Sequence, residues 1–259
     1  MEDYNFAKNI DFKNKIILIR VDFNVPIDKF NTINDHTRID ESLATIKQVI
    51  KKEPKLIILV SHLGRPKGKE NSDLSLLPVK NYLSLKLTKK IQFLRNFFPE
   101  TDLTQFNGIV MLENIRFLPE EENYSEGNEL SNYLSKNVDI YINEAFSCSH
   151  RAHTSIVGIN SQHKLAGRLM QKEINNLSTA LKSTSKKTLI IGGGKISDKI
   201  KLIENLLPSL SNIIIGGAMA FSFLKNEHNL KIGKTLYDSK SLEFTKKISQ
   251  LCKNNNIKI

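Results

Sequence analysis

Leu56-Ile-Ile-Leu-Val60-Ser-His-Leu-Gly-Arg65-Pro-Lys-Gly68 decides how this chain is read. Leu56 to Val60 is an apolar run without alternation, the pattern of a strand buried on both faces of a parallel sheet. It breaks at once into Ser61, His62, Gly64, Arg65 and Pro66. In an open α/β sheet, ligands bind just outside the carboxyl ends of the strands. A His and an Arg on a turn hinged by Gly64 and stiffened by Pro66 would there offer hydrogen-bond donors to an anion. Taken alone, a polar loop is the simpler reading, so the other strand ends must decide.

The same grammar recurs on both sides. Lys15 to Val21 reads as a buried strand ending at Asp22-Phe-Asn-Val-Pro26, where Pro26 cannot continue a central strand. Ile39, Leu43, Ile46 and Ile50 recur at helical spacing, and Leu74 to Leu87 reads as a second helix. Ile91 to Leu94 and Gly108 to Leu112 are further strands, the latter ending at Glu113-Asn-Ile-Arg116-Phe117. Asn128 to Lys136 is a short helix, and Val138 to Ile142 a fifth strand running toward His150-Arg-Ala-His153. This alternation predicts a parallel sheet with right-handed crossovers.

Gly167 to Leu181 is the next helix, followed by a polar break at Ser183-Thr-Ser185 that serves as a linker. A smaller α/β unit follows. Thr188 to Ile191 is a strand running into Gly192-Gly-Gly-Lys195. A helix spans Ser197 to Leu207, ended by Pro208. Asn212 to Ile215 is a strand running into Gly216-Gly217, with helices at Ala218 to Lys225 and Ser239 to Asn254. Ile257-Lys-Ile259 reads as the opening of another strand, so the second unit is expected to be unfinished. The expected boundaries are 1–170 for the first domain, 171–185 for a connecting helix and linker, and 186–259 for the second.

Composition narrows the function classes. The 259 residues, 40% hydrophobic and 25% charged, describe a globular chain. The apolar run from Ile213 to Leu224 is broken by glycines and is too short for a membrane span, while Glu2 and Asp3 stand where a signal peptide would be basic. Cys148 and Cys252 form neither a disulfide framework nor a metal pattern, so a reduced, cytoplasmic setting is expected. The net charge of +11 permits nucleic acid, anionic lipid or phosphorylated small molecules as partners. No basic tail and no interleaving of aromatic with basic residues favours nucleic acid, and no membrane partner is expected.

Collected together, the strand ends of the first unit carry Asp22, Asn24, His62, Arg65, Arg116, His150, Arg151 and His153, with Arg38 opening the helix after the first loop. Lysine far outnumbers arginine in this chain, yet Arg38, Arg65, Arg116 and Arg151 cluster at one edge of the sheet. The planar guanidinium fork suits bidentate binding of carboxylate or phosphate. The histidines lack cysteines or carboxylates at ligand spacing, so no metal site is expected. Cys148 beside them reads as packing under the loop. In the second unit the glycine turn is not a P-loop, because Ile196 follows Lys195 and Leu189 occupies the required upstream glycine position; a dinucleotide pattern fails at Ser197. What remains is a turn that admits a phosphate to helix amides. Lys195 and Lys199 lie on one helical face, and Gly216-Gly217 supports a nucleotide lying across both turns.

These residues resemble the phosphoglycerate kinase family. Arg20-Val-Asp-Phe-Asn-Val-Pro26, Asp35-His-Thr-Arg38, Ser61 to Gly68, Leu112-Glu-Asn-Ile-Arg-Phe117 and His150-Arg-Ala-His153 are similar, in order, to that family's N-domain motifs. Gly192 to Lys199 and Ile214-Ile-Gly-Gly-Ala-Met-Ala-Phe221 are similar to its nucleotide-domain motifs. The resemblance implies an α/β fold of two Rossmann-like parallel-sheet domains joined by a hinge helix, the second truncated. It implies reversible phosphoryl transfer in glycolysis between 1,3-bisphosphoglycerate and ADP, giving 3-phosphoglycerate and ATP, by a cytoplasmic monomer. Asp22, Phe23, Asn24, Arg38, His62, Leu63, Gly64, Arg65, Arg116 and Arg151 would then hold the phosphoglycerate. Arg38 and Lys195 would be catalytic. Gly193, Gly194, Lys195, Lys199, Gly216 and Gly217 would hold ATP or ADP with Mg2+, and closure of the lobes would exclude water.

The chain also departs from the family pattern. Glu144 stands where Asp is usual, and Ser147-Cys-Ser149 replaces a more usual Gly-Thr-Ala. Gly194 and Ala218 exchange Ala and Gly. The later nucleotide-domain motifs, including the magnesium ligand, have no counterpart, which leaves open a fragment that binds phosphoglycerate without catalysis.

Overall fold

The computed structural model describes residues 10–136, 138–193, 199–235, 237 and 241–259. They fall into two compact units, Met1–Asn176 and Leu177–Ile259. In chain order the first contains β1 (Ile16–Arg20), α1 (Thr37–Ile50), β2 (Leu56–Val60), α2 (Leu77–Leu87), β3 (Ile91–Leu94), β4 (Gly108–Leu112), α3 (Pro119–Glu122) and α4 (Glu129–Ser135). It continues through β5 (Ile140–Asn143), α5 (Thr154–Val157), β6 (His163–Ala166) and the start of α6 (Arg168–Lys182). The six strands form one sheet in the order β3-β4-β2-β1-β5-β6, every pair parallel.

The unbroken apolar runs follow from this topology. Ile17, Ile19, Ile57, Leu59, Ile109 and Met111 pack on one face against Ile39, Ile46 and Val49 of α1 and Val79 and Leu83 of α2. Their alternate neighbours Leu18, Ile58, Val60, Val110 and Leu112 pack on the other face against Leu130 and Leu134 of α4. Both faces being covered, period-two alternation of polarity has no place in the central strands. The register aligns Arg20 with Val60 and with Asn143, and Leu59 with Met111. The loops after β1, β2, β4 and β5 therefore leave the sheet along one edge.

Three local differences from the sequence reading have identifiable causes. β6 was not anticipated: His163-Lys-Leu-Ala166 has no apolar run because an edge strand, paired only with β5, is partly exposed. α2 begins at Leu77, after a separate turn whose Asp73 amide is capped by Asn71, with Pro78 in the first helical turn where its missing N–H costs nothing. β5 begins at Ile140 because Asp139 accepts from the Ile16 amide at 2.8 Å and donates its own amide to the Ile16 carbonyl, fixing the strand start.

The second unit pairs β7 (Lys187–Gly192) in parallel with β8 (Leu210–Gly216), with α7 (Ile200–Leu206), α8 (Gly217–His228) and α9 (Ser241–Asn254). Ile191, Ile203, Ile213, Phe223, Ile248 and Cys252 share one core. Ile190 and Ile214 are 75% and 53% exposed. The Lys258 amide donates to Ser211 and its carbonyl accepts from Ile213, so Lys258 bridges in parallel to Asn212, as the opening of a third strand would. Residues 194–198, the first part of the expected 197–207 helix among them, lie outside the described residues.

Candidate functional site

The four strand-end loops meet in a cleft of about 250 Å³ on the first unit. Asp22, Asn24, Arg38, His62, Gly64, Arg65, Arg116 and Arg151 all line it, together with Ser147, Cys148 and His150. All four arginines of the sequence reading thus reach one cavity, although 113 residues separate the first from the last. Phe23 and Leu63 do not line it. Their side chains lie in the core, and their amides donate to Ser61 Oγ and Asn114 Oδ1 at 2.9 and 3.2 Å.

Hydrogen bonds between loops set the shape. Gly64 adopts φ +62, a left-handed conformation that favours glycine, and a Cβ there would stand 2.7 Å from a Leu74 methyl, which would have to shift to admit it. Its amide donates to Asn24 Oδ1 at 2.9 Å and its carbonyl accepts from Arg116 Nη1 at 2.9 Å. Asn114 ties the β2 and β4 loops together, donating to the Leu63 and Leu74 carbonyls and accepting from the Leu63 and Arg116 amides.

The arginines are not equivalent. Arg38 Nη1 donates to Asp22 Oδ2 at 2.6 Å, and Ser147 Oγ bonds the same carboxylate oxygen. Arg116 is buried, its Nε 3.1 Å from Glu122 Oε1 but out of hydrogen-bond alignment. Burial and the neighbouring Arg20 and Arg151 charges lower its pKa, offset in part by Glu122. Arg65 and Arg151 are exposed and have no acidic partner among the described residues. The cleft therefore presents two uncompensated guanidinium groups, and an anion can replace the solvent around them at little cost.

His62 is buried, and desolvation, reinforced by the Arg20 and Arg116 charges, pushes its pKa down to about 2. It is a neutral hydrogen-bonding group at physiological pH. His153 does not line the cleft. It packs 3.8 Å from Glu121, and its pKa is pushed down to about 4, again mainly by burial. Burial raises the Cys148 thiol, which keeps it protonated as a packing group.

The sequence reading passed over a layer beneath the cleft. Arg20, Glu121 and Ser155 have essentially no exposed surface, and Ser155 bridges the two charges, its Oγ accepting from Arg20 Nε at 2.7 Å and donating to Glu121 Oε1 at 2.6 Å. The signal was present: an arginine inside the apolar run Ile-Ile-Leu-Ile-Arg-Val is a charge that must be paired where it is buried.

In the second unit the two glycine turns lie side by side at the ends of β7 and β8. Gly217 has φ +62 and a Cβ there would come 3.2 Å from the Gly193 amide nitrogen, while one on Gly192 would come 3.3 Å from the Gly216 carbonyl oxygen. The Gly193 carbonyl accepts from the Met219 amide in the first turn of α8 at 3.0 Å. Side chains at Gly192 and Gly217 would crowd the facing backbone, and the bare glycine backbone suits a phosphate-bearing ligand. Lys199 sits at the amino end of α7. Gly194 and Lys195 lie outside the described residues. Among the described residues no three His, Cys, Asp or Glu side chains are grouped to hold a metal ion, and no helix is long and apolar enough to cross a membrane.

The family model for phosphoglycerate kinase matches residues 7–259. The chain belongs to the phosphoglycerate kinase family. It is 42% identical to the phosphoglycerate kinase of Dictyostelium discoideum over 269 residues, covering 96% of this chain and 64% of that protein. It is 43% identical to the enzyme of Aspergillus oryzae, covering 97% and 65%. Among solved structures, phosphoglycerate kinase from Coxiella burnetii superposes with a TM-score of 0.78 at 32% identity, covering 97% of this chain and 64% of that one. The phosphoglycerate kinase of Pyrococcus horikoshii OT3 superposes at 0.74 and 28% identity. This family member spans about 65% of the length of the curated relatives it matches.

Proposed function

We propose that the first unit binds 3-phosphoglycerate and 1,3-bisphosphoglycerate, and that the second binds ADP or ATP, the two halves of phosphoglycerate kinase chemistry in glycolysis. The observation that carries this reading is the convergence of four arginines and a neutral histidine on one 250 Å³ cleft at the carboxyl edge of a parallel sheet, in a chain of this family. Phosphoryl transfer asks for positioning and positive charge more than for covalent chemistry. Arg65 and Arg151, free of acidic partners, would pair with the non-transferred phosphate or the carboxylate, and Arg116 and His62 would donate to its oxygens. Arg38 would stabilise charge on the transferring group, being held at the cleft by Asp22. Lys195 and Lys199 would do the same from the nucleotide side.

The bare glycine backbone at Gly193 and Gly217 fits nucleotide phosphates. Bound Mg·ATP would supply the transferable phosphoryl group and screen its charge; none of the described residues supplies a grouped magnesium site.

Calorimetric titration of the 1–259 protein with 3-phosphoglycerate tests the first half. Saturable binding is expected, weakened about 10- to 100-fold in Arg65→Ala and in Arg151→Ala, since a charged hydrogen bond contributes ~1.5–3 kcal/mol. No binding of 3-phosphoglycerate to the folded protein would overturn the reading. A second version of this reading is binding of phosphoglycerate without turnover. A coupled ATP-forming assay separates the two: turnover supports a kinase, and binding alone supports the second version.

A further inference from the structure

Arg20 ends β1 with no exposed surface, and a guanidinium cannot shed its charge. Its Nε donates to Ser155 Oγ at 2.7 Å, its Nη1 donates to the Val21 carbonyl, and its Nη2 stands 3.2 Å from His62 Nδ1. Glu121, equally buried, lies 3.9 Å from Nη2 and accepts from the Ser155 amide and hydroxyl at 2.8 and 2.6 Å. Ser155 is therefore clamped between the two charges, and the bonds from Nε and Nη1 hold the Arg20 guanidinium against it. Because arginine has donors and no acceptor, the Arg20–His62 contact requires Nδ1 to carry a lone pair. The ring proton then resides on Nε2, which has no protein partner among the described residues, on a side chain that lines the arginine cleft.

We propose that Arg20 is a positioning residue which, held by Ser155 and Glu121, fixes His62 as the neutral Nε2–H tautomer and so aims a hydrogen-bond donor at an anionic ligand of the cleft. The opposite tautomer would present a lone pair to that anion and repel it. Burial opposes protonation of the ring, and so do the guanidinium charges of Arg20 on β1, Arg116 after β4 and Arg38 on α1, while the Asp22 carboxylate, with Oδ1 3.9 Å from Nδ1, faces it from the β1 loop and Glu121 lies beyond Arg20. A neutral donor is therefore available only through the tautomer, and the tautomer is set from beneath the site.

The proposal rests on the phosphoglycerate reading for its affinity arm alone. Long-range 1H–15N spectra of histidine-labelled protein without ligand should show His62 as the Nε2–H form, unprotonated down to pH 5. Arg20→Lys, which retains one donor toward Nδ1, should preserve the tautomer. In Arg20→Met/Glu121→Met, which removes both buried charges and so spares the fold an unpaired one, His62 should lose its tautomer preference and titrate about one pH unit higher, burial remaining the larger cause of its lowered value. 3-Phosphoglycerate binding should weaken about tenfold. His62 in the Nδ1–H form, or unaltered in tautomer and titration in the folded double variant, overturns the proposal. If the double variant does not fold, the native spectrum and Arg20→Lys decide it. A tautomer that responds as stated while 3-phosphoglycerate fails to bind would refute the ligand and leave the role of Arg20 standing.

Discussion

Replacing Gly167 by alanine should be among the most damaging single-methyl changes in the first unit. Gly167 precedes α6, and a Cβ at that position would stand 1.7 Å from Glu144 Oε2 and 2.5 Å from Glu144 Cδ. Glu144 has no exposed surface and lines a cavity with Leu169 and Phe146, so the carboxylate can give way only by swinging its side chain and its Oε1 bonds with it. Its Oε1 accepts from Thr45 Oγ1 of α1 at 2.5 Å and from the Leu169 amide at 3.1 Å, while Thr45 Oγ1 in turn accepts from the Arg168 amide at 2.9 Å. Glu144 and Thr45 thus cap the amino end of α6 and tie it to the helix that carries Arg38. Admitting the methyl must displace the carboxylate. The overpacking costs ~1–3 kcal/mol, and the lost bonds to a charged acceptor ~1.5–3 kcal/mol. Gly167→Ala should therefore destabilise by ~3–5 kcal/mol, or a shift of about 2 M in the urea midpoint at an m-value of ~2 kcal/mol/M.

The chain has no tryptophan, so far-UV circular dichroism is the natural readout. A double-mutant cycle sharpens the test. With Glu144→Ala in place only the residue-144 Cβ, 3.3 Å away, remains of that crowding, and the added cost of Gly167→Ala should fall below ~1 kcal/mol, leaving a coupling of ~2–4 kcal/mol. A midpoint shift under ~0.5 M for the single variant, or an equal cost in both backgrounds, would refute the reasoning.

Acid should weaken the first unit through its buried histidines. The folded-state pKa values of about 2 for His62 and about 4 for His153 lie below the ordinary 6.5, so the unfolded chain binds more protons and stability falls as pH drops below 6.5. Glu121 and Glu144, raised by burial, act oppositely, contributing most at low pH and losing that contribution as pH rises through their raised values. His153→Gln should consequently lose ~2 kcal/mol less than the parent between pH 6.5 and 4.5 by urea unfolding; parallel losses would contradict the assignment. Asn114→Ala removes a buried amide that bridges the Leu63 and Leu74 carbonyls and the Leu63 and Arg116 amides, and should cost ~3–4 kcal/mol together with 3-phosphoglycerate affinity. Arg65→Ala, at an exposed and unpartnered position, should leave the urea midpoint within ~0.5 kcal/mol while weakening binding, so the pair separates scaffold from contact.

Much of the first unit was legible because its physics is local. Unbroken runs such as Leu56–Val60 mark strands covered on both faces, and Pro26 and Gly64 mark where those strands must stop. The arginines were legible as a set because Arg65, Arg116 and Arg151 follow such runs and Arg38 opens the helix after the first one, and parallel strands in register release their loops along one edge. β6 escaped because His163-Lys-Leu-Ala166, partly exposed at the sheet edge, carries no apolar run. The Arg20–Glu121–Ser155 layer escaped because its members lie far apart in the chain and announce themselves only as polar residues in apolar surroundings.

The amino-acid order by itself determined the α/β class, the carboxyl-edge placement of the basic residues and the family motifs, since these depend on spacing along the chain. Only the tertiary structure decided which arginines stand free of acidic partners, that Phe23 and Leu63 turn into the core, and that Gly167 must be bare to admit Glu144. It also decided that Arg20 meets a lone pair on His62. Pairing, burial and tautomer depend on what other segments bring within a few ångströms, and no spacing along one segment encodes that.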